Sequence, residues 1–558
     1  MIYSIPWVGF GLSLSFRVDH FSLFIGTAIA GFSILIAIYS LVFMRGRSHA
    51  GLFFAYLLLT FLLAEGAVFA NNLILFLVFW EGLLLTLFGM IFIGGQSAYK
   101  TAIKAFTIVG ITDFCMLLGI AITGHLAGTY EMSQIALPLT GVGSVAFILL
   151  MIGAMAKAGA MPFHSWIPDA AIDAPLPFMA ILPAAIEKLL GIYFLARISL
   201  EIFKLNPASW LSPLLMIIGV ITILLAVMMA LVQKDYKRLL SYHAISQVGY
   251  MILGIGTAVP IGIVGGLFHM INHALYKSCL FLSGGSVEKQ TGTTDLSKLG
   301  GLASKMPITF ICFAIAAFAI SGVPPFNGFF SKELIYDGAL ERGTIYYWGA
   351  LLGSFFTAAS FLKLGHAVYF GRRSAATANV KEASWFMLAP MIIIAGICIL
   401  FGVYNVWPLE KLIQPILGAG ALEGHHFAGW PTNPLLVLGT FVVLFLAILN
   451  HYYGAKKTGG GLGAVDHIHY APVLRQAYYG AERHWFDPYE IGLIFAVGAA
   501  RILNMFDRLI DWVYEGLTVG LAVLAGRIIG WAHSGNFSTY VVWALLGTVA
   551  AIFLGVKF

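Results

Sequence analysis

Apolar runs about twenty residues long recur along the chain, with short polar gaps between them, near 20–43, 50–70, 72–94, 101–125, 143–161, 174–199, 209–232, 239–256, 261–287, 306–340, 345–371, 384–405, 433–453 and 539–556. Twenty helical residues at 1.5 Å each cover the roughly 30 Å of a bilayer's hydrocarbon core. The pattern therefore predicts an all-α polytopic membrane protein with about fourteen transmembrane helices. Threading the runs alternately gathers Arg45, Arg47, Lys100, Lys104, Lys234, Lys237, Arg238, Lys289, Lys298, Lys305, Arg372, Arg373, Lys381, Lys456 and Lys457 on one side. The other side keeps chiefly Arg17, Lys204, Arg342 and Lys411. By the positive-inside rule the first side is cytoplasmic and the N-terminus lies outside.

Two runs carry helix breakers at matching places, Gly159-Ala-Met-Pro162-Phe163 and Gly322-Val-Pro324-Pro325-Phe326, offset by 163 residues. Moving the second, fourth and sixth runs by the same offset gives 213–233, 264–288 and 337–362, close to the seventh, ninth and eleventh. This predicts two five-helix repeats, and because five is odd the second enters the membrane from the opposite side. Inverted repeats with broken helices near the substrate route are a transporter arrangement. The expected organisation is an N-terminal segment and first span (1–48), a first repeat (50–199), a second (209–371), two further spans (384–453), a loop with a long helix (454–538) and a last span (539–558).

Past residue 454 the pattern changes. A Gly-rich stretch, Lys457-Thr-Gly-Gly-Gly461, and a polar loop precede Asp487-Pro488, an N-cap and first-turn pair that opens a helix. Arg501, Asn504, Arg508, Asp511, Glu515 and Thr518 then recur at spacings of three and four, with apolar residues on the other face. Such a stripe predicts a lateral amphipathic helix. Run unbroken from about 489 to 530 it is roughly 63 Å long. It is expected to brace a neighbouring subunit, the alternative being a helix lying on the lipid surface.

Composition narrows the class. Of 558 residues 60% are hydrophobic and 10% charged, far from a soluble domain's roughly 25% charged. The net charge of +6 is spread over loops, which excludes a nucleic-acid footprint. Cys115, Cys279, Cys312 and Cys398 stand apart in apolar stretches, so no zinc, haem or iron–sulfur site is expected in this chain. The start, Met1-Ile-Tyr-Ser-Ile-Pro-Trp, lacks the basic region and cleavage site of a signal peptide, so no processing is expected.

Charges at bilayer depth cost from about 2.5–3.5 kcal/mol to more than 10, so they default to function. Glu81, Asp113, Lys157 and the pair Glu187–Lys188 fall inside the first set of spans. In the second set come His243, then His269, His273 and Lys277 at four-residue intervals, then Lys332–Glu333 after the break, with Lys363 and His366 beyond. Buried lysines beside carboxylates can exchange protons, and histidine bridges them at little cost. The expected lane of the second half runs His243, His269, His273, Lys277, Lys332. A metal at His269 and His273 lacks further ligands on that helix. Glu187, Lys363 and His366 fit helix packing as well as transport.

As a set these motifs resemble the antiporter-like membrane subunits shared by respiratory complex I, Mrp-type sodium/proton antiporters and energy-converting membrane-bound hydrogenases. The pieces are Phe79-Trp-Glu81-Gly; Ala156-Lys157-Ala-Gly-Ala-Met-Pro-Phe-His164-Ser-Trp-Ile-Pro-Asp169-Ala; Lys234-Asp-Tyr-Lys-Arg-Leu-Leu-Ser-Tyr-His243-Ala-Ile-Ser-Gln-Val-Gly-Tyr250; Phe268-His-Met-Ile-Asn-His-Ala-Leu-Tyr-Lys277; and Gly322-Val-Pro-Pro-Phe-Asn-Gly-Phe-Phe-Ser-Lys-Glu333. The likeness covers roughly residues 17 to 405. It implies that Glu81 and Lys157 form the charged pair of the first half-channel, supported by Asp113. It further implies that Lys188 relays, Lys277 links the halves, and Lys332 with Glu333 lies on the exit side; His164 is a weaker pathway candidate.

The chain departs from the distal complex I member, which has additional N-terminal spans and usually a His in the segment that here reads Leu182-Pro-Ala-Ala-Ile-Glu-Lys188. These departures are more similar to the hydrogenase or ferredoxin-dependent members. The resemblance implies a prokaryotic cytoplasmic membrane, lipid surroundings, other membrane subunits as partners and a peripheral redox arm. That arm would hold iron–sulfur clusters with nickel–iron or flavin. Protons are the expected ion, sodium the alternative. The competing classes are a stand-alone Mrp-type sodium/proton antiporter component, an oxidoreductase with its own redox site, and a membrane scaffold.

Overall fold

The computed structural model describes residues 1–7, 13–422, 425 and 427–555. Parts of the expected 1–48 and 539–558 segments, including residue 556 at the end of the last predicted span, lie outside them. Two compact units divide the chain, Met1–Arg483 and His484–Phe558.

The first unit is helical throughout except at its start, where β1 (Ile2–Pro6) and β2 (Ser13–Arg17) pair antiparallel, Ile2 opposite Arg17 and Pro6 opposite Ser13. This corrects the all-α expectation. The alternation Ser13-Leu-Ser-Phe-Arg17 has the period of a half-buried strand. Its helices are α1 (His20–Phe43), α2 (Ala50–Phe69), α3 (Leu73–Phe92), α4 (Tyr99–Ala127), α5 (Val142–Ala158), α6 (Trp166–Asp173) and α7 (Leu176–Ile202). Then follow α8 (Leu211–Val232), α9 (Tyr236–Gly256), α10 (Pro260–Thr291), α11 (Pro307–Ser321) and α12 (Asn327–Arg342). The unit continues with α13 (Thr344–Phe370), α14 (Trp385–Val403), α15 (Pro434–Thr458) and α16 (Pro472–Glu482). Every predicted span falls on helix. Among the described residues ten helices are long and apolar enough to cross a membrane. α6 and the helical turns within 406–417 were not expected from the hydrophobic pattern, because both are far shorter than a membrane span.

The two predicted breaks have one geometry. α5 ends at Gly159 (φ 79°) and α11 at Gly322 (φ 78°), a left-handed conformation that glycine adopts without steric cost. Ala160 N–H donates to Met155 O at 2.9 Å, and Val323 N–H to Phe318 O at 3.0 Å, the six-to-one bond of a Schellman cap. Proline two residues later then prevents the helix from resuming.

Hydrophobic side chains face outward around the rim, while α7 and α10 form a buried centre: Gly262–Val287 of α10 are all buried. Backbone-to-backbone crossings bring these helices together. A Cβ on Gly249 of α9 would lie 2.5 Å from Gly219 O of α8, and one on Gly338 of α12 would lie 2.6 Å from Gly262 Cα of α10. Small residues permit such approaches in membrane bundles. At one end Asp19 caps α1 through Ser22 N–H and takes both nitrogen-to-oxygen bonds from Arg197 of α7 at 2.8 Å. Burial pushes the Asp19 carboxyl up, but the Arg197 guanidinium outweighs it and holds the group at about 2.

In the second unit, Pro488–Asp511, a π-helical stretch Trp512–Thr518 and Val519–Ala532 run on as one helix, 488–532, followed by α17 (Phe537–Gly555). The predicted cap is present: Asp487 accepts from Tyr489 N–H at 3.0 Å. At 1.5 Å per residue the helix is about 68 Å long.

Gly249→Leu is expected to wedge α8 from α9, at a cost of about 1–3 kcal/mol or more. Gly396→Leu on α14, where an added Cβ meets nothing within 4 Å, is expected to melt like the parent. Thermal melts of the detergent-solubilised protein check the contrast.

Candidate functional site

The break at Gly159 leaves Lys157 in the last turn of α5, 2% exposed, facing α3 and α4. Its ammonium donates to Trp80 O at 3.2 Å, stands 4.7 Å from the Trp80 ring centroid and lies 3.8 Å from Asp113 Oδ2. The Trp80 indole N–H donates to Asp113 Oδ1 at 2.8 Å, closing a triad across three helices. The partner within ion-pair distance is thus Asp113, not Glu81 as the resemblance implied. Glu81 follows Trp80 on α3, half-buried, within electrostatic reach of both charges.

Lys188 projects from α7 onto the same break, its Nζ only 3.0 Å from where a Gly159 Cβ would stand. A π-helical turn, Leu182–Ile186, immediately precedes Glu187–Lys188. Such bulges add a residue to a turn and re-aim the side chains beyond it. Glu187 Oε2 and Lys188 Nζ are buried without hydrogen-bond partners. His164, in the segment between α5 and α6, is half-buried.

The second half orders its residues in space differently from the chain. His269 Nδ1 and Ser331 Oγ are 2.9 Å apart, which sets it beside Lys332. Its Nε2 contacts Gln247 Oε1 at 3.1 Å and Tyr276 OH at 3.2 Å. His243 Nε2 and Ser360 Oγ are 2.8 Å apart, and its ring is 4.7 Å from that of Phe361, over which Lys277 Nζ stands at 5.7 Å. His273 lies between, against the backbone of Ala184 in the π turn, and neither ring nitrogen has a side-chain partner. The order in space is therefore His243 and Lys277, then His273, then His269 and Lys332. One face of α10 produces it, since residues four apart stack along a helix.

Lys332 reaches back to the other break. Its Nζ donates to Ile320 O at 2.8 Å and Ser354 Oγ at 3.0 Å, over the Tyr250 ring at 4.9 Å. Ile320 is in the last turn of α11, where carbonyls have no helical partner. Glu333 turns the other way and accepts from Thr440 of α15. Lys363 caps α8 instead, donating to Leu231 O at 2.6 Å and Gln233 O at 2.7 Å. His366 Nδ1 meets His451 Nε2 at 3.0 Å. Both make helix-packing contacts, and Lys363 is also within electrostatic reach of His243.

Several participants carry no charge. Trp80, Gln247 and Ser331 stand inside the quoted motifs without a role of their own there, and Ser354 and Ser360 became visible only as partners. Asp337, four residues after Glu333, carried a signal in its spacing. Lys237 and Arg238, read as topology charges, have specific partners: Arg238 pairs with Asp169 at 3.1 Å, which also binds Lys104 at 2.9 Å, and Lys237 donates to Ile172 O at 3.1 Å.

The family profile described as NADH:quinone oxidoreductase/Mrp antiporter, transmembrane, matches residues 70–357. A probable K(+)/H(+) antiporter component of Rhizobium meliloti is 32% identical over 79% of this chain and 46% of its own length, so this chain spans less than half of that protein. NADH-quinone oxidoreductase subunit L of Mycobacterium tuberculosis is 31% identical over 81% of this chain and 72% of its own. The solved membrane-bound sulfane sulfur reductase, an archaeal respiratory membrane complex, contains a chain of the same fold, with TM-score 0.69 and 24% identity over 100% of this chain and 92% of that one.

Removing one member of the Lys157–Asp113 pair strands the other's charge. Asp113→Asn is expected to destabilise by about 3–5 kcal/mol, and Asp113→Asn with Lys157→Met to recover most of it. Melting of the three proteins measures the coupling.

Proposed function

The chain belongs to the NADH:quinone oxidoreductase/Mrp antiporter family of multi-pass membrane subunits, and on that premise we propose that it conducts protons within a multisubunit, redox-driven pump. One observation carries the reading: Asp113, Glu187, Lys188, His273 and Lys277 are all buried, and each has a polar side-chain atom with no hydrogen-bond partner. An unmet buried polar group costs about 1–3 kcal/mol, more when charged. A scaffold gains nothing from five of them in one row. A relay does, because each group must be free to take up and release a proton.

In this reading Glu81, Asp113 and Lys157 load the first half. Lys188, with Glu187, passes the proton to His273 and Lys277, with His243 beside them, and His269 hands it to Lys332 and Glu333. About fourteen spans, with two inverted five-helix repeats among them, 50–199 and 209–371, provide the two half-channels, and the matching caps at Gly159 and Gly322 support that symmetry. The basic side faces the cytoplasm and the N-terminus the outside. The helix 488–532 braces a neighbouring membrane subunit, and its length supports a place in a redox assembly. Iron–sulfur clusters with nickel–iron or flavin belong to a partner arm, hydrogenase or ferredoxin-dependent. A second reading, a component of an Mrp-type sodium/proton antiporter, is supported by the family description, which names Mrp antiporters beside NADH:quinone oxidoreductases.

The intact complex, isolated through a tag on this chain, distinguishes them. Nickel with iron and sulfide marks a hydrogenase, flavin with iron–sulfur and no nickel a complex I relative, and small membrane partners without metal the antiporter. In proteoliposomes Lys157→Ala and Lys277→Met are expected to lower proton transport at least tenfold while the complex still assembles; transport near the parent rate would refute the relay.

A further inference from the structure

Beyond Lys332 the structure holds a small cavity that the relay meets only at Glu333. It has a volume of about 50 Å³ and lies between α12, α15 and the segment Phe427–Asn433. At about 15 Å³ each, that is room for roughly three waters. Two carboxylates four residues apart on one face of α12, Glu333 and Asp337, line it.

Glu333 is 2% exposed, and only its Oε1 is engaged, by Thr440; Oε2 has no partner. Asp337 is half-buried, one helical turn nearer the end of α12, and the Asn433 side chain reaches it. Trp430 lines the cavity, its ring 5.4 Å from Phe329 and 6.1 Å from Phe330. Its loop is pinned where Gly429 N–H donates to Asn405 Oδ1 at 2.7 Å. A buried carboxylate oxygen with no donor, on a residue lining a largely apolar cavity of water size into which Asp337, Thr432 and Asn433 also bring polar groups, is an acceptor site awaiting water or a proton. On its other side the same residue adjoins Lys332, which turns inward to Ile320 O and Ser354.

We propose that Glu333 and Asp337 form a hydrated port through which protons pass between Lys332 and the aqueous face beneath the Trp430 loop. This rests on the relay reading above. Asp337 acts as the outer proton acceptor, Glu333 as the inner one, and the waters between them carry the proton across one helical turn.

The test uses the intact complex in proteoliposomes. Asp337→Asn is expected to lower proton transport at least tenfold with normal assembly, while Asp337→Glu, which keeps the acid, recovers at least half of the parent rate. Asp337→Cys is expected to react with a membrane-impermeant anionic thiosulfonate from the face bearing the Trp430 loop and not from the other. Transport by Asp337→Asn within twofold of the parent, or no labelling of Asp337→Cys, overturns the port. If Asp337→Asn does not assemble, Glu333→Gln takes its place, with the same thresholds. Lys332→Met separates the two ideas: if it transports normally the relay itself fails, and if it is inactive while Asp337→Asn is not, only the port fails.

Discussion

An ammonium group in a dry helix bundle needs a carboxylate, a carbonyl released from a helix, or something it can exchange a proton with, and this fold is arranged around that need. Lys157 uses the first, with Asp113 fixed by the Trp80 indole. Lys332 uses the second, on a carbonyl in the last turn before the Gly322 break. Lys188 and Lys277 have neither. Placing unsatisfied lysines between satisfied ones leaves a row whose middle holds charge least comfortably, which suits groups that change protonation more than groups that merely bind.

Such a row requires helices close enough to exclude solvent yet able to present side chains to one another. The glycine crossings meet the first condition: where α8 meets α9 and α10 meets α12, backbones touch without intervening side chains. The π turn in α7 meets the second, because it redirects Glu187 and Lys188 and sets Ala184 against His273. Close packing and local irregularity therefore serve one end, as expected where non-helical backbone survives at membrane depth only inside protein.

Much of this was legible in the sequence because periodicity and punctuation are local. Runs of apolar residues located every helix that is long enough to span, and Gly-Ala-Met-Pro and Gly-Val-Pro-Pro located both breaks to the residue. The contents of the site were harder. Charge draws attention to Lys157 and Glu81, yet the carboxylate at the lysine is on α4, and only the packing of three helices decides between two acids at similar depth. The chain order of the second lane misled for a like reason: His243 precedes His269 in sequence, but α9 and α10 are antiparallel, so His243 lies beside Lys277. The hairpin at the start was legible in Ser13-Leu-Ser-Phe-Arg17 and was hidden by the weight of apolar runs after it.

The two breaks also show that two segments of similar geometry can keep a place while exchanging the residue that fills it. The residue 163 positions after Lys157 is Ile320, and its carbonyl is the one that Lys332 binds. The residue 163 before Lys332 is Asp169, which pairs with Lys104 and Arg238 instead. At each break one lysine side chain packs against the left-handed glycine, but Lys188 comes from the helix after α6 and Lys332 from the helix directly beyond the break. The halves therefore share a glycine-capped helix end with an ammonium beside it, reached from different directions. An aligned lysine is the wrong sign of equivalence in such a pair; the shared feature is the backbone that makes room for one.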